Sequence, residues 1–332
     1  MPIALLKFPN DLLREVFRLC DPFELYRLSK CSKQLSQRSI TLRETKNWKI
    51  TYWGGNVITI WVDGSNYNFN QTDNPEDYFQ VTLGRYSNYM DIEFPNGGGV
   101  DLFFYLLDTL GICIVKLLEI TFGTVANVSK VAKVLVDRNM DIERFGIGNV
   151  EEVQDVVNFM PMLSQMNITK EFNCFLNFPP DFHFKFVKYP RKINITDASW
   201  FTIDQLLDCT CVRIELENSS FNNHDLDVFL QKWKMTGTFP NLRRLRIQSD
   251  LIDNQSPILE MIPPIQTVNN PMIRVSINGH GEIVDGVRVI KDDGAVGWLK
   301  VEIGDWSELN FLIADPADTV VEEISDDEDD DW

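Results

Sequence analysis

The sequence is poor in the residues on which catalysis and metal binding usually depend. Its 332 residues include only three histidines, His183, His224 and His280, and none lies in a nucleophile, metal or acid–base motif. Gly97-Gly98-Gly99 precedes an apolar run but lacks the Lys-Ser/Thr of a phosphate-binding loop. We therefore predict a non-catalytic protein with no catalytic residue, cofactor or metal. An α/β enzyme stays open as an alternative that would need a pocket of clustered ionisable residues.

Long apolar runs and patterned cysteines are also lacking. The most apolar stretch, 102–115, contains Asp108 and is too short to span a bilayer, and Asp11, Arg14 and Glu15 interrupt the apolar residues of the N-terminus. The six cysteines have no zinc-ligand spacing, and Cys209-Thr-Cys211 is not a redox pair. These features predict buried, reduced thiols, no membrane partner and a cytoplasmic and/or nuclear location.

Basic residues are scarce outside the N-terminus. The net charge is −18, whereas residues 1–50 carry +5 and residues 322–332 carry −8. An acidic body repels phosphate backbones, so we predict no nucleic-acid partner. The segment 315–332 is predicted to be a disordered acidic tail, in which Ser325 is a candidate phosphorylation site. This tail could also act as a clamp for basic proteins, or serve solubility alone.

What the sequence does contain is an N-terminal set of short amphipathic segments. Leu12, Leu13, Val16, Phe17 and Leu19 recur at helical spacing. Asp21-Pro22 begins a second segment with Leu25 and Leu28, and residues 29–35 begin a third. So small a unit cannot bury all of these side chains internally. The excess predicts a docking partner, with packing on the body of the same chain as the alternative.

An apolar-x-apolar pattern returns six times between residues 117 and 248. The pairs are Leu118/Ile120, Phe145/Ile147, Met166/Ile168, Ile193/Ile195, Ile214/Leu216 and Leu245/Ile247. Helical stripes such as Leu226, Phe229, Leu230 and Trp233 lie between them. Short strand–helix units of this length predict parallel strands in an irregular leucine-rich-repeat-like solenoid. An ordinary α/β domain with similar strands is the alternative.

The predicted fold is α/β, with an N-terminal helical module, the solenoid and β-rich caps. The boundaries are 1–47 for the helical module, 48–116 for the N-terminal cap, 117–250 for the solenoid, 251–314 for the C-terminal cap and 315–332 for the tail. Residues that alternate with the buried pairs would face the concave side, where such folds bind partners. Those predicted to contact a protein substrate are Glu119, Arg144, Gln165, Asn167, Lys192, Asn194, Arg213, Glu215, Arg244 and Arg246. A solvated sheet face without a partner is the alternative.

The N-terminal segment resembles an F-box, the three-helix module that binds the Skp-type adaptor of cullin-based SCF ubiquitin ligases. The resemblance rests on Phe8-Pro9-Asn10-Asp11-Leu12-Leu13, Val16-Phe17, Asp21-Pro22, Glu24, Leu25 and Cys31-Ser32-Lys33. Phe8 stands where the family usually has Leu, and Leu35 where many members have Trp. The resemblance implies adaptor contacts through Phe8, Pro9, Leu12, Leu13, Val16, Phe17, Pro22, Leu25, Leu28 and Cys31.

Beyond the F-box, the chain resembles the nematode-expanded F-box proteins that carry the second type of F-box-associated domain. The similarity is clearest over 212–247, where Ile214-x-Leu216, Asp225-Leu226, Phe229-Leu230, Trp233, Pro240, Leu242, Leu245 and Ile247 follow in family order. It implies a substrate receptor of an SCF ubiquitin ligase, joined through the adaptor to cullin and RING subunits, with an unknown protein substrate. The alternative is a leucine-rich-repeat-like interaction scaffold that acts outside ubiquitin ligases.

Overall fold

The structure, a computed structural model, describes residues 8–31, 42, 47–268, 271–315 and 317–324. The chain divides into two compact units, Met1–Thr169 and Lys170–Trp332. Within the described ranges, no helix is both long enough and apolar enough to cross a membrane.

Two helices form the described part of the N-terminal module. Helix α1 spans Asn10–Leu19 and α2 spans Pro22–Cys31. The Asp21 side chain accepts a hydrogen bond from the Glu24 amide at 2.8 Å, and the Glu24 carboxylate accepts one from the Asp21 amide at 2.9 Å. This reciprocal capping starts α2 immediately after α1. Residues 29–31 belong to α2, and the rest of the predicted third helix lies outside the described residues.

The remainder of the first unit is a sheet with helices. Its strands are β1 (Lys49–Tyr52), β2 (Val57–Val62), β3 (Ser65–Gln71), β4 (Val81–Leu83), β5 (Ser87–Ile92), β6 (Ile114–Ile120) and β7 (Asp141–Ile147), in the order β4-β5-β3-β2-β1-β6-β7. Helices α3 (Gly98–Thr109), α4 (Val125–Asp137) and α5 (Val153–Leu163) connect the later strands, and a 3₁₀ turn covers Pro75–Asp77. Strands β1, β6 and β7 pair in parallel, whereas β2 is antiparallel to both neighbours.

The second unit combines a sheet of parallel and antiparallel strands with a smaller sheet. The order of the larger is β8-β9-β10-β11-β16-β15-β14, in which β8 to β11 are parallel. These strands are β8 (Asn167–Cys174, which begins in the first unit), β9 (Lys192–Ile195), β10 (Arg213–Leu216), β11 (Arg244–Gln248), β14 (Val287–Ile290), β15 (Val296–Glu302) and β16 (Glu308–Ile313). The smaller sheet contains β13 (Gly281–Val284), β12 (Met272–Ile277) and β17 (Thr319–Ile324). Helices α6 (Ile203–Asp208) and α7 (Asn223–Lys234) connect β9 to β10 and β10 to β11 of the larger sheet.

The six apolar pairs lie where the sequence pattern places them. Each pair belongs to β6 to β11, except that Met166 immediately precedes β8, and all twelve side chains are buried. Strands β6 and β7 of the first unit, and β8 to β11 of the second, are neighbours in the order in which they follow along the chain, with a helix between most of them. The period-two burial is that of a sheet with one covered face. The strand–helix alternation predicted from the sequence is therefore present.

Helix α7 fixes the apolar core under β11 and β16. Asn222 and Asp225 form a capping box that begins the helix. Its buried stripe ends at Trp233, whose ring lies 4.7 Å from that of Phe311 in an edge-to-face contact. This packing holds the C-terminal strands against the parallel ones.

Two expectations from composition do not hold. The prediction that residues 315–332 are disordered is wrong for 319–324. These residues form β17, which pairs with β12 along the whole length of β12. The β-branched run at 319–321 offers its backbone to β12, and Arg274 lies opposite Glu322. Residues 325–332, including Ser325, lie outside the described residues. The six cysteines were expected to be buried, but Cys31 and Cys113 are exposed and Cys20 is only partly buried.

Candidate functional site

Helix α1 presents an apolar surface at its two ends. Leu12 is 47% exposed and Leu19 is 86% exposed, and Phe8 and Pro9 are exposed just before the helix. Arg14 pairs with Asp11 at 3.3 Å and Arg18 with Glu15 at 3.1 Å, so the charges along α1 largely compensate one another. The exposed charges of α1 therefore sum to zero, and its exposed apolar side chains lie at its two ends.

The opposite side of α1 belongs to the interior of the protein. Leu13 and Phe17 have no exposed surface, and Pro22 and Leu25 in α2 are also buried. Val16 and Leu28 are partly buried, and Cys31 is exposed. In this structure Leu13 and Phe17 pack internally, as the alternative from the sequence required, and offer a partner no surface. Of the residues predicted to contact the adaptor, Phe8, Pro9, Leu12 and Cys31 are exposed.

Aromatic contacts attach α2 to the sheet of the first unit. The Phe23 ring meets Tyr67 at 5.2 Å and Phe69 at 5.1 Å between centroids, both edge to face. Tyr26 meets Phe69 at 5.2 Å and Tyr105 at 5.9 Å. Edge-to-face pairs of this kind add to the free energy of burial. The helix is thus anchored through β3 and α3.

Polar contacts close the edges of the same interface. The Ser29 and Tyr105 hydroxyls lie 2.7 Å apart, and the Arg27 guanidinium donates to the Phe79 carbonyl at 2.5 Å. Burial raises the pKa of Tyr26, so its hydroxyl stays neutral across the physiological range. Helix α2 is therefore docked on the sheet and α3 of the first unit.

In the second unit, the predicted substrate residues form two rows across β9, β10 and β11. Lys192, Arg213 and Arg244 lie side by side in register, and Asn194, Glu215 and Arg246 form the next row. Both rows lie on one face, because the residues between them are buried. The sequence pattern thus places these six residues correctly relative to one another.

Most charges in these rows are already paired. Lys192 contacts Glu171 at 2.7 Å, and Arg246 lies 3.1 Å from Glu217 and 2.6 Å from Glu308. The hydrogen bond to Glu308 raises the pKa of Arg246. Such a network is weakened by salt only slightly where it is half-buried. The face is a cross-linked polar surface with little unpaired charge.

A turn of the smaller sheet covers one end of the rows. The Arg244 guanidinium donates to the His280 carbonyl at 2.7 Å, and Arg213 donates to the Gly279 carbonyl at 3.4 Å. Burial lowers the pKa of Arg244, which nevertheless remains a cation. Arg213 and Arg244 therefore hold the turn between β12 and β13, which limits their access to a partner.

The Gly281→Ala variant tests this contact. Gly281 has φ +97°, and a Cβ there would lie 1.9 Å from Nη1 of Arg244, forcing the guanidinium away from the His280 carbonyl. Gly279→Ala is the matched control, because its φ is +73° but no atom lies within 4 Å of the added Cβ. We expect Gly281→Ala to lower the free energy of unfolding by about 1 kcal/mol more than the control, the value of a lost hydrogen bond. Equal denaturation midpoints would contradict the contact.

The four predicted substrate residues of the first unit do not form an equivalent row. Glu119 and Arg144 lie on adjacent strands, and burial raises the pKa of Glu119. Gln165 lies in the turn after α5, where its side chain donates to the Pro161 carbonyl at 3.2 Å, so its assignment to a strand face is wrong. The Asn167 side chain donates to Asp141. The strand pattern misplaced Gln165 because β8 starts two residues later.

No metal-binding cluster of three or more His, Cys, Asp or Glu side chains occurs within the residues that the structure describes.

Comparison with protein families gives two matches. Residues 5–46 match the F-box domain, and residues 181–247 match the F-box associated domain of the second type. No curated protein matches the chain, and no solved structure does. The first match covers α1 and α2, and the second covers the strands β9 to β11 that carry the polar rows. By these two matches the chain is identified as an F-box protein that also carries an F-box associated domain.

Proposed function

We propose that this protein is the substrate receptor of an SCF-type ubiquitin ligase. The F-box would bind a Skp-type adaptor and, through it, the cullin and RING subunits, and the second unit would select a protein for ubiquitylation. The observation that carries the proposal is that α1 and α2 have one side packed against the protein and another side exposed. One side is anchored through Phe23 and Tyr26, while Leu12 and Leu19 remain exposed.

The exposed ends of α1 have the chemistry of a helical docking surface. Phe8, Pro9, Leu12 and Leu19 are exposed apolar residues that the described part of the chain leaves uncovered. Large apolar anchors of this kind supply most of the affinity in protein interfaces, and compensated charges cost little to bury at their rim. The adaptor surface proposed here therefore consists of exposed residues and does not include Leu13 or Phe17.

Replacing Leu12 and Leu19 together by Asp tests the adaptor surface. Both side chains are exposed, so the double variant should fold normally and lose co-purification with a Skp-type adaptor by at least tenfold, because two interface anchors become charges. Leu251→Asp is the matched control, since Leu251 is 53% exposed in the second unit. Equal recovery of the adaptor with wild type and double variant would contradict the proposed surface.

The substrate side would use the second unit. We propose that the consecutive parallel strands are leucine-rich-repeat-like and that Lys192, Asn194 and Glu215 present polar groups to a substrate. Their half-buried positions on one sheet face support this, since regular strand faces act as binding surfaces in repeat folds. The chemistry of ubiquitin transfer would belong to other subunits, so the receptor itself needs no catalytic group.

A further inference from the structure

A cleft of about 840 Å³ opens in the second unit, away from the polar rows. Its apolar lining includes Trp233, Phe239, Trp298 and Ile313. It lies between the loop that follows α7, the hairpin of β14 and β15, and β17. A volume of this size and an aromatic lining are typical of sites that enclose a large apolar group.

Three cations line the cleft, and they differ in how they are compensated. Arg243 pairs with Asp315 at 3.3 Å and with Asp318 at 2.7 Å, and buried Lys291 donates to the Thr238 carbonyl at 2.5 Å. Arg288 is exposed and forms no ion pair with any residue that the structure describes. In a chain of net charge −18, an uncompensated arginine beside an apolar cleft favours an acidic ligand.

Arg288 lies on a strand with a free edge. Among the described strands, β14 is the last of its sheet and pairs only with β15. In an antiparallel pair, alternate residues direct their N–H and C=O groups away from the partner strand. Two of the four residues of β14 therefore offer backbone groups to an added strand, a common mode of peptide capture.

We propose that this cleft and the β14 edge bind an extended peptide that carries a bulky apolar residue and, two positions away, a carboxylate. The peptide backbone pairs with β14, the apolar side chain enters the cleft, and the carboxylate pairs with Arg288. This inference rests on the proposed function in one respect, since it takes the peptide to be a segment of the substrate.

The spacing follows from strand geometry. Arg288 lines the cleft, so the side of β14 that carries Arg288 faces it. In an added strand, only every second side chain lies on that same side. An apolar residue and an acid that both point toward the cleft must therefore be separated by an odd number of residues, and one residue is the shortest such separation. An adjacent pair would direct one of the two groups away from it.

The test measures binding of synthetic peptides to the full-length protein by fluorescence anisotropy. Two fluorescein-labelled nonapeptides of Ser and Thr carry Phe and Glu with one residue between them, in the two possible orders, because the added strand can run in either direction. The control peptides replace Phe by Ala, replace Glu by Gln, or place Phe and Glu side by side. We expect one order to bind at least tenfold more tightly than all three of its controls.

Protein variants locate the site. Arg288→Gln should weaken the better peptide about tenfold, the loss of one charge-assisted hydrogen bond. Ala295→Phe should weaken it at least as much, since Ala295 lines the cleft. The matched controls are Arg191→Gln at another exposed arginine and Gly304→Phe, where no atom lies within 4 Å of an added Cβ. Thermal melting verifies that each variant is folded.

Three results would overturn the proposal. The first is that each Phe/Glu peptide binds no more tightly than its Phe-to-Ala control. The second is that Arg288→Gln binds the better peptide with the affinity of the wild type. The third is that sodium phenylacetate competes with the labelled peptide as strongly as the unlabelled peptide does. The last would make the cleft a small-molecule site. The assay contains no adaptor, so its failure leaves the proposed adaptor binding intact. Loss of adaptor binding alone would leave the peptide site intact and remove its role in ubiquitylation.

Discussion

Phe17→Ala should lower the free energy of unfolding by about 3–5 kcal/mol, the usual cost of emptying a phenylalanine site in a core. Phe17 belongs to α1 and has no exposed surface. The F-box resemblance assigns this position to the adaptor, whereas the structure assigns it to the interior. Urea denaturation followed by circular dichroism, without any adaptor present, separates the two roles.

Leu19→Ala is the control on the same helix. Leu19 is 86% exposed, so its truncation should change stability by no more than about 0.5 kcal/mol. Were Phe17→Ala as stable as Leu19→Ala and yet deficient in adaptor binding, Phe17 would be an interface residue and its burial in the structure would be wrong.

Phe69→Ala should detach α2 from the first unit and cost a similar free energy, about 3–5 kcal/mol. Phe69 is fully buried on β3, and both Phe23 and Tyr26 meet its ring edge to face. Without this ring, α2 loses its principal support. Limited trypsinolysis should then cleave after Arg27 and Lys30 much faster than in the wild type.

The matched control for Phe69→Ala is Phe122→Ala in the same unit. Phe122 is 62% exposed, so its truncation should leave both the denaturation midpoint and the trypsin pattern unchanged. If Phe69→Ala lowered stability without faster cleavage in α2, the aromatic contacts would not be what holds the helix.

The sequence was sufficient to predict the parallel strands and the rows they carry. Alternation of apolar and polar residues is a local property, and a strand has only two faces. Ile193/Ile195 and Ile214/Leu216 therefore placed Lys192 and Glu215 on the open face without any knowledge of the rest of the fold. The prediction that Gln165 lies on a strand face was wrong because the sequence pattern does not define the first residue of β8 to within two residues.

Which side of the F-box helices is free could not be predicted from the N-terminal segment. The burial of α2 depends on Tyr67, Phe69 and Tyr105, which lie at least 40 residues further along the chain than the α2 residues that they contact in the folded protein. A helical stripe shows that a residue is to be buried, but not whether the cover is its own chain or a partner. The same limit explains why the cleft beside β14 was missed, since its lining comes from separate segments.

The docking of α2 has a consequence for function. In the proposed complex, the contacts of Phe23, Tyr26 and Ser29 would hold α2, and with it the bound adaptor, to the first unit. Preorganisation of this kind reduces the entropy lost when a complex forms.

Hydrogen–deuterium exchange of the full-length protein, with and without a purified Skp-type adaptor, tests the central claim most directly. The account predicts a one-to-one complex in which the amides of α1 become protected and those of β9 to β11 do not change. Absence of a complex at micromolar concentrations, or protection confined to the second unit, would contradict it.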